Sequence, residues 1–233
     1  MIKILVIDDE KPTLSMFQLF LKAYGYEVYI AEDGEKGLEL FNKIKPEIVF
    51  TDLKMPGMDG LEVLENIRNS NIKCEVIIIT GHGDMEKAVK ALDLSASDFI
   101  NKPVERQALN SALIRAKTRI NRSGTEKFSL KTRQTGDMVN IKIQGRLSLS
   151  ARDILLDFLK SEPENKFTKA RIVFDDGFSI NQAGISALIS FVKDIKDKGA
   201  KVSMEGLSYN YIRFFEMAGI NKFADILEAK TDE

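Results

Sequence analysis

Four short apolar segments of the sequence end in, or lead directly to, side chains that could do chemistry. These side chains are Asp8 and Asp9, Asp52, Thr80 and Lys102. If the segments are parallel strands, their carboxyl ends meet at one edge of a sheet and the five side chains lie together. Three carboxylates at close range repel one another unless a cation neutralises them, and such oxygen ligands favour Mg²⁺.

The other two side chains indicate which reaction this site would support. Lys102 supplies a fixed positive charge, and Thr80 supplies a hydroxyl donor. A metal cation, an ammonium group and a hydroxyl around one carboxylate stabilise the charge that develops in phosphoryl transfer. The carboxylate would be the nucleophile and would carry the phosphoryl group as an acyl phosphate.

The elements that position these residues alternate between two hydrophobic periods. Apolar runs predict strands at 2–7, 27–30, 48–52, 76–80 and 97–100. Helical spacing of apolar residues predicts helices at 13–24, 34–41, 61–67, 85–94 and 104–120. Five consecutive βα units predict an α/β domain with a doubly wound parallel sheet over residues 1–120.

The first half of the chain resembles the receiver domain of two-component response regulators. Four segments carry the resemblance, in order and at the family's spacing: 6–10 (VIDDE), 52–60 (DLKMPGMDG), 80–84 (TGHGD) and 98–103 (DFINKP). The resemblance implies a flavodoxin-like (βα)5 fold. It also implies that Asp52 accepts a phosphoryl group from a sensor histidine kinase or a phosphotransfer protein.

Further roles follow from the same resemblance. Asp8, Asp9, Asp52 and the backbone carbonyl of Lys54 are expected to hold magnesium. Thr80 and Lys102 are expected to contact the phosphoryl oxygens, and Phe99 lies where the family has its aromatic switch residue, which rotates inward on phosphorylation. The Lys102–Pro103 bond is expected to be cis. A homodimer is expected through the fourth helix, fifth strand and fifth helix, where Lys90, Asp98 and Arg115 supply charge.

Residues 121–127 are polar with small residues at their centre, which is typical of a linker. A second domain is predicted at 128–233, and its pattern differs from that of the first. Two strands joined at residues 135–137 predict a hairpin. Strands at 171–174 and 201–205 and helices around 154–159, 185–192 and 211–217 follow. The hairpin makes the expected sheet of this α/β domain a mixed one.

The second half resembles a STAS domain, the fold shared by anti-sigma-factor antagonists and sulfate-transporter tails. The segments that carry this looser resemblance are 141–147 (IKIQGRL), 170–175 (ARIVFD), 180–188 (INQAGISAL), 198–202 (KGAKV) and 217–220 (MAGI). Antagonists commonly carry Asp-Ser-Ser-Gly before the central helix, and a kinase phosphorylates the second serine. This chain has Asn181, Gln182, Ala183 and Gly184 there, so the phosphoacceptor hydroxyl is missing.

The missing hydroxyl suggests that control has moved from the STAS helix to Asp52. We expect phosphorylation of Asp52 to control binding of an anti-sigma factor, and so transcription, through a surface comprising Asn181, Gln182, Ala183, Gly184 and Ser186. Ser179 and Ser186 are expected in a solvated loop and on a helix face. An alternative is a phospho-regulated STAS module that binds a small ligand or a different signalling protein.

Composition and charge limit the other classes of function. The chain has 233 residues and a net charge of −1, with 17 basic and 19 acidic residues up to Arg122 and 17 and 16 after it. Neither half has a basic nucleic-acid footprint, and no basic recognition helix supports a DNA-binding regulator. No nucleophile–base pair appears in the second half, so no output enzyme is expected and no catalytic residue is predicted beyond the receiver site.

The sequence also predicts the compartment. Aliphatic runs reach four residues, so no membrane segment or signal peptide is expected. The single cysteine, Cys74, cannot form an internal disulfide, and a cytoplasmic protein is the expectation. The single histidine, His82, is expected to be a surface loop residue.

Overall fold

The computed structural model describes residues 1–81, 84–122, 128–161 and 167–227. The chain divides into two compact units, Met1–Asn121 and Arg122–Glu233. The predicted linker falls mostly outside the described residues. Its first residue, Asn121, is the last residue of a helix. The interpretation of His82 as a loop residue also falls outside the described part of the chain.

The first unit alternates five strands with five helices, as the hydrophobic periods predict. The strands are β1 Lys3–Ile7, β2 Glu27–Ala31, β3 Ile48–Asp52, β4 Glu75–Thr80 and β5 Asp98–Asn101. The helices are α1 Lys11–Ala23, α2 Gly34–Ile44, α3 Gly60–Asn69, α4 Met85–Asp93 and α5 Arg106–Asn121. All strand pairs are parallel and their order is β2-β1-β3-β4-β5. This is the flavodoxin-like order, and the predicted fold of this unit is confirmed.

Burial explains why these strands are readable in the sequence. Every residue of β3 is buried, and only the first residue of β1 and of β4 is not. A strand covered on both faces must be apolar throughout, so it appears as a continuous run rather than an alternation. Helix starts are set locally, since Asp33 caps α2 and Asp59 forms a capping box with Glu62 at α3.

The expectation that Asp98 and Arg115 supply surface charge for a dimer is wrong. Asp98 is 0% exposed and Arg115 6% exposed, and Arg115 Nε lies 2.5 Å from Asp98 Oδ2. Arg119 lies nearby and binds Glu75 at 2.7 Å. These charges face inward because β5 lies beside β4 and under α5, so they neutralise each other within the unit.

The second unit is built on a mixed sheet, as predicted. Its strands are β6 Ser129–Thr135, β7 Met138–Gln144, β8 Arg146–Leu147, β9 Lys169–Phe174, β10 Ser179–Ile180, β11 Lys201–Glu205 and β12 Asp225–Ile226. Its helices are α6 Arg152–Ser161, α7 Gln182–Asp197 and α8 Tyr209–Met217, with 3₁₀ turns at Leu149–Ala151 and Ile220–Lys222. The main sheet has the order β12-β11-β9-β7-β6, and β8 pairs with β10 separately.

Among the strand pairs described in this unit, only the β6–β7 hairpin is antiparallel, and its two-residue turn contains Gly136 at a φ of 60°. The remaining pairs of the main sheet are parallel. Ser179, expected in a solvated loop, is only 9% exposed because it lies in β10, which pairs with β8. Among the described residues, no helix is long and apolar enough to cross a bilayer.

Candidate functional site

Three carboxylates meet where the strand order of the first unit reverses, at the carboxyl ends of β1 and β3. Asp8 is 0% exposed, Asp52 is 5% exposed, and Asp9 lies exposed beside them. One oxygen from each of these residues lies within 4.8 Å of the others. The order of the strands therefore produces the acidic cluster, since β1 and β3 are neighbours although α1, β2 and α2 separate them in the chain.

Lys102 is the counter-charge of this cluster. It follows β5, and its Nζ lies 3.1 Å from Asp8 Oδ2 and 3.1 Å from Asp52 Oδ2. The Lys102–Pro103 peptide bond is cis, as the resemblance implies. The Lys102 backbone N–H donates to the Thr80 carbonyl at 2.7 Å, which ties the loop after β5 to the end of β4.

Glu10 also belongs to the site, although the sequence did not predict a role for it. Its Oε2 lies 3.1 Å from Lys102 Nζ and accepts a hydrogen bond from the Thr13 hydroxyl at 3.0 Å. Its backbone N–H donates to Asp8 Oδ1 at 2.8 Å. The only signal in the sequence was that Glu10 follows Asp8 and Asp9 directly.

Burial and neighbouring charges shift the pKa values of these groups in opposite directions. Burial raises the pKa of the Asp52 carboxyl to about 6, against the attraction of the Lys102 ammonium. Burial raises the pKa of Asp8 for the same reason. Burial alone would lower the pKa of Lys102, but the carboxylates of Asp52 and Asp8 outweigh it and raise the pKa. The hydrogen bond from Lys102 lowers the pKa of Glu10.

The cluster fits a magnesium ion. Asp8 Oδ2 is buried and, within the described structure, has the Lys102 ion pair but no hydrogen bond, so its lone pairs are available. All donors are oxygens, and in the part of the chain that the structure describes one ammonium, that of Lys102, balances the carboxylates. This is the environment that Mg²⁺ prefers. Lys54 lies in the loop after β3, and its ammonium pairs with Asp84 at 2.8 Å. The role of its carbonyl stays a prediction.

Thr80 and Phe99 lie inside the unit, on neighbouring strands. Thr80 is 1% exposed, and its hydroxyl lies 3.5 Å from the Gly81 carbonyl, a long and weak contact. Phe99 is 1% exposed and pairs in register with Ile78. The ring is therefore already inward in this structure, whereas the family resemblance implies that it rotates inward on phosphorylation.

The predicted partner surface of the second unit lies at the start of α7. The Asn181 side chain caps this helix by accepting a hydrogen bond from Gly184 N–H at 2.9 Å. Gln182 and Ser186 are exposed and Ala183 is half-buried. Gly184 is buried, and a Cβ there would lie 2.1 Å from the Leu147 carbonyl oxygen. Gly184 therefore supports the surface from beneath and is not part of it.

The raised pKa of Asp52 predicts that Asp52→Asn stabilises the protein. Between about pH 4 and pH 6 the folded state holds more protons than the unfolded state, so stability falls as pH rises through this window. We expect Asp52→Asn to raise the free energy of unfolding by about 1–3 kcal/mol at pH 7.5 without divalent cations. The gain should vanish below about pH 4. Urea unfolding measures it, with Asp33→Asn, at a half-buried carboxylate outside the acidic cluster, as a control that shows no gain.

Magnesium is expected to stabilise the first unit through the same carboxylates. At 100 times its dissociation constant, a ligand that binds only the folded state adds about 2.7 kcal/mol. The thermal midpoint should therefore rise with Mg²⁺ in the wild type and stay constant in Asp8→Asn. An equal rise in both proteins would show that the ion binds elsewhere.

Residues 4–114 match the family model of the response regulator receiver domain. The regulatory protein AtoC of Escherichia coli strain K12 is 35% identical over 114 residues, which make up 49% of this chain and 25% of AtoC. The chain thus spans about a quarter of the length of this curated relative. A crystal structure of a response regulator receiver domain protein from Clostridium thermocellum covers 52% of this chain and 98% of its own, at 36% identity and a TM-score of 0.50. The receiver domain of NtrX from Brucella abortus covers 48% and 96%, at 36% identity and a TM-score of 0.47.

The first unit therefore contains a response regulator receiver domain, as its four sequence segments imply. Such a domain accepts a phosphoryl group on an aspartate, from a histidine kinase or a phosphotransfer protein, and generally binds Mg²⁺ at an acidic pocket. The family match ends at residue 114. The resemblance of the second unit to a STAS domain stays a prediction.

Proposed function

We propose that this chain is a response regulator in which phosphorylation of Asp52 controls protein–protein binding by a STAS domain. The observation that carries the proposal is the placement of Asp52. It lies at the end of β3, 5% exposed, with Oδ2 3.1 Å from the Lys102 ammonium and the carboxylates of Asp8 and Asp9 beside it. A nucleophile, an ammonium group and a cation site thus share one edge of the sheet.

In the proposed reaction an Asp52 carboxylate oxygen attacks the phosphorus of a phosphohistidine. The new O–P bond forms as the P–N bond breaks, and the released imidazole nitrogen takes up a proton. Mg²⁺ held by Asp8, Asp9, Asp52 and the Lys54 carbonyl would neutralise the developing charge on the phosphoryl oxygens. Lys102 then shifts its ammonium from the Asp52 carboxylate to the phosphoryl group.

In this proposal Thr80 and Phe99 pass the effect of phosphorylation from Asp52 to the surface of the receiver domain. The Thr80 hydroxyl makes only a long contact with Gly81, so it is easily recruited by a phosphoryl oxygen. Movement of Thr80 changes the space next to Phe99, because β4 and β5 pair side by side. The outer faces of α4, β5 and α5 would then change shape, which can promote a homodimer.

The proposed partner of the second unit is an anti-sigma factor, and the unit does no chemistry of its own. Ala183 lacks the hydroxyl that is phosphorylated in the antagonists. In this proposal the regulatory phosphorylation therefore occurs on Asp52 of the receiver. Leu149, 64% exposed, lies in the 3₁₀ turn that packs against α7 and gives the surface of Gln182, Ala183 and Ser186 an apolar neighbour. An apolar centre with a polar rim is the usual anatomy of a protein interface.

Charge-bearing substitutions in this surface test the proposed partner. The wild type should capture a histidine-kinase-like anti-sigma factor from the native lysate, and Gln182→Arg and Ser186→Arg should capture much less. Lys193→Gln, on the same helix but outside the surface, is the matched control. Equal capture by the wild type and both surface variants would contradict the proposed surface.

A cavity favours a second candidate, the binding of a small anionic ligand. The cavity is open to solvent, has a volume of about 430 Å³ and is lined by the residues around the start of β11 and of β12, including Lys196, Lys201, Lys222 and one carboxylate, Asp225. Its size lies in the range of ligand sites. Under this alternative ATP raises the thermal midpoint of the wild type but not of Lys222→Gln, and no shift in either protein contradicts it.

A further inference from the structure

The mixed sheet of the second unit has one buried face and one open face. Residues 139, 141 and 143 of β7 point inward and are buried, and the ring of Phe174 of β9 packs at a tilt against Phe215 of α8. The alternate residues point outward into solvent. Six of these outward residues are basic and exposed, and together we call them the basic face: Lys131, Arg133, Lys142, Lys169, Arg171 and Lys201.

The strand register places like charges directly opposite each other on the basic face. Lys131 pairs with Lys142 across β6 and β7, and Lys169 pairs with Lys201 across β9 and β11. Like charges at such positions destabilise a sheet. An ordinary solvated face would offset them with acidic neighbours, but only two outward residues of the described strands are acidic, Glu205 and Asp225.

Local ion pairs neutralise only part of the basic face. Arg171 pairs with Glu205, and Lys169 Nζ lies 3.3 Å from Asp137 at the hairpin turn. Lys131, Arg133, Lys142 and Lys201 have no ion pair among the residues that the structure describes. Protection of an exposed edge strand explains basic residues on β6. It does not explain them on β7, β9 and β11, which have neighbours on both sides.

We propose that the basic face binds the phosphate backbone of double-stranded DNA without reading its sequence. The face has the charge for a polyanion but no aromatic residue, so it lacks the platform on which single strands stack. It also lacks the large exposed apolar side chains that would anchor a protein partner or insert into a bilayer. Asn140 lies between Arg133 and Arg171 in the strand register, and Ser203 lies beside Arg171. Both are the kinds of side chain that hydrogen-bond phosphates.

The dimensions of the face fit a B-form duplex. From β6 to β11 there are three strand spacings, a span of roughly 14 Å. The major groove of B-DNA is about 12 Å wide. Lys131 and Arg133 at one end and Lys201 at the other can therefore reach phosphates on opposite sides of the groove. The deep, narrow major groove of duplex RNA offers no such spacing.

The near-neutral charge of the second half does not argue against this surface. Seventeen basic and sixteen acidic residues follow Arg122. Of the acidic residues that the structure describes, only Glu205 and Asp225 lie at outward positions of the sheet strands. A protein binds a polyanion through the local charge of one face. The net charge of the whole domain therefore does not show that basic and acidic residues lie on different faces. Only the strand register reveals which residues share that face.

Fluorescence anisotropy of the full chain with two labelled duplex DNAs of unrelated sequence tests the proposal. Both duplexes should bind with equal affinity. The slope of log K against log salt concentration should be about −3.6 if the four unpaired cations each neutralise one phosphate. Lys131→Gln with Lys142→Gln should make the slope shallower by about 1.8, because two contacts are lost.

Lys160→Gln with Lys193→Gln removes the same charge from α6 and α7 and should leave the slope unchanged. Lys142→Thr should weaken DNA binding while raising the thermal midpoint, because it relieves the repulsion with Lys131. Equal slopes for the face and helix variants would overturn the proposal. So would binding to vesicles of anionic phospholipid, or to duplex RNA, in preference to duplex DNA.

Discussion

The Asp52→Asn variant is expected to take up no phosphoryl group from acetyl phosphate and Mg²⁺, whereas the wild type approaches one per chain. The reason is geometric as well as chemical. Asp52 is the carboxylate that lies at the end of β3 within ion-pair distance of Lys102, and an amide cannot act as the nucleophile. Intact-mass spectrometry measures the phosphoryl group directly, and chelation of Mg²⁺ should abolish it in the wild type too.

Asp33→Asn is the matched control for this experiment. Asp33 caps α2 through its side chain, and asparagine caps equally well, so the fold and the phosphorylation should both persist. Lys102→Gln should retain the acceptor but react more slowly, because the ammonium no longer stabilises the transferring group. Full phosphorylation of Asp52→Asn would show that another residue accepts the phosphoryl group, and it would contradict the assignment of Asp52 as the phosphoacceptor.

Replacing Arg115 with alanine is expected to lower the free energy of unfolding of the first unit by about 3–5 kcal/mol. The substitution leaves the Asp98 carboxylate buried at 0% exposure without the guanidinium 2.5 Å away. The remaining cation in the described structure is Arg119, whose Nη2 lies 4.0 Å from Asp98 Oδ2, so the buried charge would keep only a long ion pair. A poorly compensated buried charge costs far more than the pair contributes when intact. Urea unfolding followed by circular dichroism, with and without the substitution, measures the loss.

Arg106→Ala is the control on the same helix. Arg106 is exposed and donates to the Tyr24 hydroxyl at 3.0 Å, so its loss should cost under about 1 kcal/mol. The double variant Asp98→Leu, Arg115→Met should recover much of the stability, because a well-packed apolar pair replaces the ion pair. A small loss in Arg115→Ala, similar to that of Arg106→Ala, would mean that Asp98 finds another partner or water.

The receiver sheet could be predicted from the sequence because burial on both faces leaves continuous aliphatic runs in β1, β3 and β4. Once those strands are placed, Asp8, Asp52 and Lys102 must meet, since parallel strands share one carboxyl edge. The three strands β8, β10 and β12 have two residues each. Two residues show no period, so only backbone pairing in three dimensions defines these strands.

Side-chain surroundings were much harder to predict than strands. Asp98 and Arg115 look like surface charges in the sequence, and only the packing of α5 on β5 shows that they neutralise each other. Gly184 looked like part of a surface until the close approach of the Leu147 carbonyl placed it underneath. Glu10 belongs to the site through Lys102, a residue far along the chain. Each case depends on a long-range contact that no local pattern encodes.

The most direct test of the central claim measures whether the state of Asp52 controls partner binding by the second unit. Purified protein is used to capture partners from the native lysate with and without beryllofluoride, a phosphoryl mimic, in the presence of Mg²⁺, and Asp52→Ala serves as the control. We expect capture of a histidine-kinase-like anti-sigma factor to change with beryllofluoride in the wild type and not in Asp52→Ala. Capture of that factor in equal amounts under all conditions would contradict the claim that the receiver gates the second unit.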